Sequence, residues 1–132
     1  MNAVTSSRPI VLVIDDEQDI RATIQDVLED QGFAVASAAN GREALDMLLG
    51  DGANPALILL DLEMPVMDGW AFREEQRRVP RLARIPVVLF SGHLDAGRAA
   101  QALDATATMS KPICLEGLAT LVDQLSHCGR PN

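Results

Sequence analysis

Residues Ile10–Glu17 read IVLVIDDE, and Leu57–Trp70 read LILLDLEMPVMDGW. Each begins with an apolar run and passes directly into aspartate. An apolar run of this length without polar alternation suits a strand buried on both faces of a sheet. Outward from these two stretches the same unit recurs. Apolar runs lie at Ile10–Ile14, Phe33–Ser37, Ala56–Leu60, Ile85–Phe90 and Ala105–Met109, and a helical pattern follows each. Ile20, Ile24, Val27 and Leu28 repeat at helical spacing before Gly32. Ala44, Leu45, Leu48 and Leu49 do so between Asn40, an N-cap type, and Gly50, a stop signal. Asp68 is placed to cap a third helix that ends before Pro80. An Ala-rich fourth helix is expected between Asp95 and Leu103, and Leu115, Leu118, Val122 and Leu125 mark a fifth.

Strand–helix alternation predicts a parallel sheet with helices on both faces. The first, third and fourth runs are apolar enough for the centre of the sheet, with Pro86 at the entry of the fourth. Phe33–Ser37 and Ala105–Met109 contain Ser, Thr and small residues, which suit edges. The order 2-1-3-4-5 satisfies both conditions. The expected fold class is therefore α/β, a flavodoxin-like, doubly wound (βα)5 arrangement. Its switch point lies between strands 1 and 3, and ligands bind there, outside the carboxyl ends of the strands.

Composition narrows the function classes. A chain of 132 residues is one domain's worth. Lys plus Arg number 11 against 19 Asp plus Glu, a net charge of −8. That balance argues against direct DNA binding, which needs excess positive charge. A hydrophobic fraction of 48% supports a packed core. No apolar run nears the roughly 18 residues of a membrane span. Met1–Pro9 lacks the apolar stretch of a signal peptide. Cys114 and Cys128 are too few for a disulfide framework, so a cytoplasmic location without membrane insertion is expected.

The switch point carries the chemistry. Strand 1 runs into Asp15 and Asp16, and strand 3 into Asp61. At 4–8 Å, with an effective dielectric near 20, each carboxylate pair repels by about 2–4 kcal/mol. A hard divalent cation with oxygen ligands and retained waters would balance them. The simpler reading, helix capping by Asp, accounts for one such residue but poorly for three at one crevice. Ser91 and Gly92 follow strand 4, and Lys111 follows strand 5. They add a hydroxyl and an ammonium to the same crevice, the latter a point charge for a phosphate or carboxylate.

These segments, with VVLFSG at Val87–Gly92 and SKPI at Ser110–Ile113, resemble the receiver domains of two-component response regulators. The resemblance covers about residues 9 to 127, leaving 1–8 as a flexible N-terminal segment and 128–132 as a tail. It implies that Asp61 accepts a phosphoryl group from a phosphohistidine on a histidine kinase or histidine phosphotransfer protein. It implies Mg²⁺, held by Asp15, Asp16, Asp61 and the backbone carbonyl of Glu63. Lys111 matches the lysine that pairs with the phosphoryl group, Ser91 the switch hydroxyl, and Gly92 an amide donor. The Lys111–Pro112 peptide is expected to be cis. Pro65 and Gly69 are expected to shape the loop after Asp61.

There is one departure. The family's strand 5 aromatic, three residues before the lysine, is Thr108 here, and the chain has no Tyr. The usual hydroxyl–aromatic coupling is therefore open, although the phosphorylation residues are intact. Glu63 and His93 match positions that tune hydrolysis. Trp70, Met64 and Met67 are read as packing residues. Arg73, Glu74, Glu75, Arg77 and Arg78 are read as a solvated helix face. His127 beside Cys128 lacks the further ligands of a zinc site.

The expected function is a single-domain receiver, a monomer or weak dimer, that signals by phosphorylation-dependent contact with an unidentified target or by phosphorelay. It is not expected to turn over external substrates. Two competitors differ in class. A pseudo-receiver would bind partners constitutively, as Thr108 suggests and the intact acids oppose. A Mg²⁺-dependent aspartyl-phosphate phosphatase would want Asp where Glu63 stands, and a substrate-capping insertion.

Overall fold

The computed structural model describes residues 9–50, 54–92, 96–111 and 114–128, without the side chains of 96, 97, 100, 110 and 126–128. The expectations for residues 1–8, His93, Pro112 and 129–132, and for the side chains of His127 and Cys128, lie outside these.

Strands β1 (Ile10–Ile14), β2 (Ala34–Ala38), β3 (Leu57–Asp61), β4 (Val87–Ser91) and β5 (Ala107–Ser110) form one sheet. All pairings are parallel and the order is β2-β1-β3-β4-β5. This is the order expected. Helices α1 (Gln18–Asp30), α2 (Gly41–Gly50), α3 (Gly69–Arg77), α4 (Ala96–Leu103) and α5 (Leu115–Cys128) alternate with the strands. A single helical turn, Pro80–Ala83, precedes β4 and was not anticipated.

The two-residue period of a strand splits the central apolar runs between two cores. Leu12, Ile14, Ile58, Leu60, Val87 and Leu89 face α2, α3 and α4, where Leu45, Leu48, Phe72 and Leu103 meet them. Val11, Val13, Leu57, Leu59, Val88 and Phe90 face Ile24 and Leu28 of α1 and Leu118 and Val122 of α5. Burial on both faces is why these strands read as unbroken apolar runs.

The helix ends follow the expected chemistry. Asn40 Oδ1 accepts from Glu43 N–H at 2.9 Å, and Asp68 Oδ1 from Ala71 N–H at 2.9 Å. At the end of α1, Gly32 has φ of 97°. Its N–H donates to Glu29 O at 3.0 Å, and Phe33 N–H to Leu28 O at 3.1 Å. This is a Schellman motif, whose left-handed residue is best supplied by glycine. Four strands start later than their apolar runs, β2 and β3 by one residue and β4 and β5 by two. Pro86 has no N–H for the ladder, so β4 begins at Val87. Asp104 turns left-handed at φ 54°, and β5 begins at Ala107.

Four side chains correct the sequence reading, among them Leu115, expected in the apolar stripe of the fifth helix but exposed at its first position. Trp70 is 45% exposed, because the buried side of α3 is taken by Phe72, Arg73 and Gln76. Leu49, read within the apolar stripe of α2, lies on its exposed side. Arg73 leaves the solvated face and is only 4% exposed. Glu74, Arg77 and Arg78 do face solvent. Met64 is buried and Met67 packs against the same core, as expected.

Candidate functional site

The ladder itself assembles the site. Asp61 ends β3 in register with Phe90, and Leu62 N–H then donates to Phe90 O at 3.2 Å. Asp15 follows β1, and its N–H donates to Ala38 O at 3.1 Å. Ser91 ends β4 in register with Ser110, and Lys111 N–H donates to Ser91 O at 3.0 Å. These bonds hold Asp15, Asp61, Ser91 and Lys111 at the carboxyl ends of four neighbouring strands, at the expected switch point.

Side-chain contacts close the group. Lys111 Nζ lies 3.2 Å from Asp61 Oδ1 and 3.5 Å from Asp15 Oδ2. Asp61 Oδ1 also accepts from Glu63 N–H at 3.2 Å, and Asp15 Oδ1 from Glu17 N–H at 2.8 Å. Arg21 Nη1 donates to Asp15 O at 2.6 Å. Asp61 is 0% exposed, and Asp15 is equally buried. Yet Asp61 Oδ2 and Asp15 Oδ2 accept no hydrogen bond, the latter having only its ion pair to Lys111. Buried anionic oxygens without donors are costly, so they mark a ligand position better than a packing solution.

Asp16 adds a solvent-exposed carboxylate. One oxygen from each of Asp15, Asp16 and Asp61 lies within 4.8 Å of the others. The donors are all hard oxygens, and Asp16 opens to water. A hard divalent cation that keeps part of its hydration fits this set.

Electrostatics follow from burial. Desolvation pushes the Asp61 carboxyl from 3.8 up to about 6, and the Asp15 charge adds to this. The Glu63 amide and Lys111 oppose the rise. Asp61 therefore remains mostly ionised at neutral pH. For Lys111, burial alone would lower the pKa, but Asp15 and Asp61 outweigh it and hold the ammonium above its ordinary value.

The loop after Asp61 is shaped by close approach. A Cβ at Gly69 would lie 2.6 Å from Asp61 O and 2.8 Å from Leu62 Cα, so only glycine fits. Gly69 N–H donates to Leu62 O at 3.0 Å. Pro65 O accepts from Met67 N–H at 2.8 Å, closing a γ-turn around Val66, which has φ of 70°. That conformation is unfavourable for a β-branched residue, and Val66 is 83% exposed.

Most of the expected site residues meet here. Glu63 contributes its amide to Asp61 while its side chain is exposed. Gly92 is exposed beside buried Ser91. Thr108 lies half-buried on edge strand β5 opposite Leu89. The sequence reading missed Arg21, which braces the Asp15 backbone. Its only signal was a lone cation between apolar Ile20 and Ile24.

Comparison with known proteins agrees with this geometry. The sequence matches the response regulator receiver domain family over residues 11–123. The chain belongs to that family, the phosphorylation-linked signalling domain of two-component systems. It is 34% identical over 115 residues to the sensor histidine kinase CheAY of Helicobacter pylori, covering 86% of this chain and 14% of that protein. It is 29% identical to sporulation initiation phosphotransferase F of Bacillus subtilis, covering 80% of this chain and 84% of that one. The chain spans 24% of the dicarboxylate transport regulator DctD of Rhizobium meliloti, with 39% identity. Among solved structures, the chemotaxis regulator CheY4 of Vibrio cholerae superposes with a TM-score of 0.81 at 29% identity, over 90% of this chain and 99% of that one. No helix among the described residues is long and apolar enough to cross a membrane.

Proposed function

We propose that Asp61 accepts a phosphoryl group from the phosphohistidine of a histidine kinase or histidine phosphotransfer protein, and that the modified domain signals through a phosphorylation-dependent protein contact or passes the group on. The observation that carries this reading is the orphaned Asp61 Oδ2, buried beside Asp15 with Lys111 Nζ 3.2 Å from the other oxygen. In the step, Asp61 Oδ2 attacks phosphorus and a P–O bond forms. The P–N bond to imidazole breaks, and its electron pair returns to the ring nitrogen. The product is an acyl phosphate. Such transfer depends mainly on positioning and charge neutralisation. Lys111, held positive by its two aspartates, neutralises the transferred oxygens. The Ser91 hydroxyl and the Gly92 amide supply further donors. Mg²⁺, held by Asp15, Asp16, Asp61 and the Glu63 main-chain carbonyl, would offset the charge of the acid cluster and of the phosphoryl group.

Intact-protein mass after incubation with acetyl phosphate tests this. One phosphoryl adduct is expected, dependent on Mg²⁺ and missing in Asp61→Asn. No adduct, together with no binding of beryllofluoride, would overturn the reading in favour of constitutive protein contact.

A further inference from the structure

Arg73 is a buried cation that the phosphoryl chemistry does not use. It lies one turn into α3. Its Nε donates to Leu103 O at 2.8 Å, Nη2 to Asp104 O at 3.0 Å and Nη1 to Gln76 Oε1 at 2.9 Å. Fully buried Gln76 extends the network, donating through Nε2 to Leu82 O at 2.8 Å and Ile85 O at 3.2 Å. Leu103 is the last residue of α4. The final carbonyls of a helix lack intrahelical donors and carry its negative end, so a guanidinium suits them. Here the donor comes from a different helix.

All three partners of Arg73 are neutral oxygens. A buried cation carries a desolvation penalty, which lowers its pKa here, with Arg77 adding to the shift and Asp104 opposing it. An apolar side chain of similar volume would fill the space without that penalty. A guanidinium fork supplies direction, because two carbonyls at the end of α4 and just past it are fixed relative to α3. At its other end α3 is equally constrained. Gly69 lies against the Asp61 backbone with no room for a Cβ, and its N–H is bonded to Leu62 O. A continuous path therefore runs from Asp61 through Gly69 and Arg73 to the end of α4 and the turn that leads into β5. It does not involve Thr108.

We propose that Arg73 is the positioning residue that couples the state of Asp61 to the α4–β5 junction, through its bonds to the Leu103 and Asp104 carbonyls. The inference rests on Asp61 being the acceptor. It assigns to α3 a transmission role that an aromatic on β5 does not fill in this chain.

Amide hydrogen exchange with and without Mg²⁺ and beryllofluoride tests it in wild type, Arg73→Met and Arg73→Gln, each compared at equal loading of Asp61. Loading is expected to change exchange of residues 103–110 at least threefold in wild type. Arg73→Met is expected to load within threefold of the wild-type affinity and to lose that change. Arg73→Gln, with one donor nitrogen in place of three, is expected to keep half or less, and it decides the matter if Arg73→Met does not fold. A full response in a folded variant, or no response at 103–110 in loaded wild type, overturns the coupling alone. Failure of wild type to load at all overturns the acceptor reading and the coupling with it.

Discussion

Among the described residues, charge is buried at two places. At the carboxyl end of the sheet, Asp15 and Asp61 each keep one buried oxygen without a hydrogen bond. At the junction of α3 and α4, Arg73 is also buried, yet its three bonds measure 2.8–3.0 Å. The contrast separates a group waiting for a ligand from a group whose ligands are the fold itself. An unsatisfied carboxylate costs stability that a bound cation or phosphoryl group can recover. A satisfied guanidinium costs desolvation but fixes the relative placement of two helices.

Truncating each site should move stability in opposite directions. Arg73→Ala strips the Leu103 and Asp104 carbonyls and the Gln76 amide of their donor, and is expected to cost about 3–4 kcal/mol in urea unfolding. A loss below about 1 kcal/mol would mean that water satisfies those carbonyls. Asp61→Asn is expected to stabilise the metal-free protein at pH 7 by about 1–3 kcal/mol, since it removes a buried charge. The pH dependence carries the same sign. The folded Asp61 carboxyl sits at about 6 against 3.8 when exposed, so between these values only the folded chain holds the proton. Metal-free stability should fall as pH rises through that window, and the fall should vanish in Asp61→Asn.

Two smaller effects sharpen the comparison. Mg²⁺ at tenfold its Kd should add about 1.4 kcal/mol to wild type, and far less to Asp16→Asn or Asp61→Asn. Thermal unfolding with and without EDTA reads this directly. Arg78, the C-cap of the helix that carries Arg73, pairs with Glu74 and Glu75 at 3.3 and 3.1 Å in solvent. Arg78→Ala should change stability by less than about 0.5 kcal/mol. A larger effect would erase the distinction between exposed Arg78 and buried Arg73.

Legibility in the sequence follows the same line. The central strands were readable because burial on both faces leaves no polar residue in the run, as in Val11–Ile14. The acid site was readable because Asp15, Asp16 and Asp61 follow such runs directly, and strand order then brings them together. Arg73 was misread because a charge in the run Arg73–Arg78 gives no local sign of its side of the helix being inward. Trp70 was misread for the converse reason: its size favours burial, but the inner side of α3 was already taken.

By itself the sequence determined the alternation of strands and helices, the sheet order, the capping residues and the set of carboxylates. These depend on periodicity and on neighbours within a few positions. Only the tertiary structure decided which oxygens are left without donors and that Arg73 reaches the end of α4, 30 residues away along the chain. Those outcomes depend on the placement of distant carbonyls and amides, and periodicity carries no record of that.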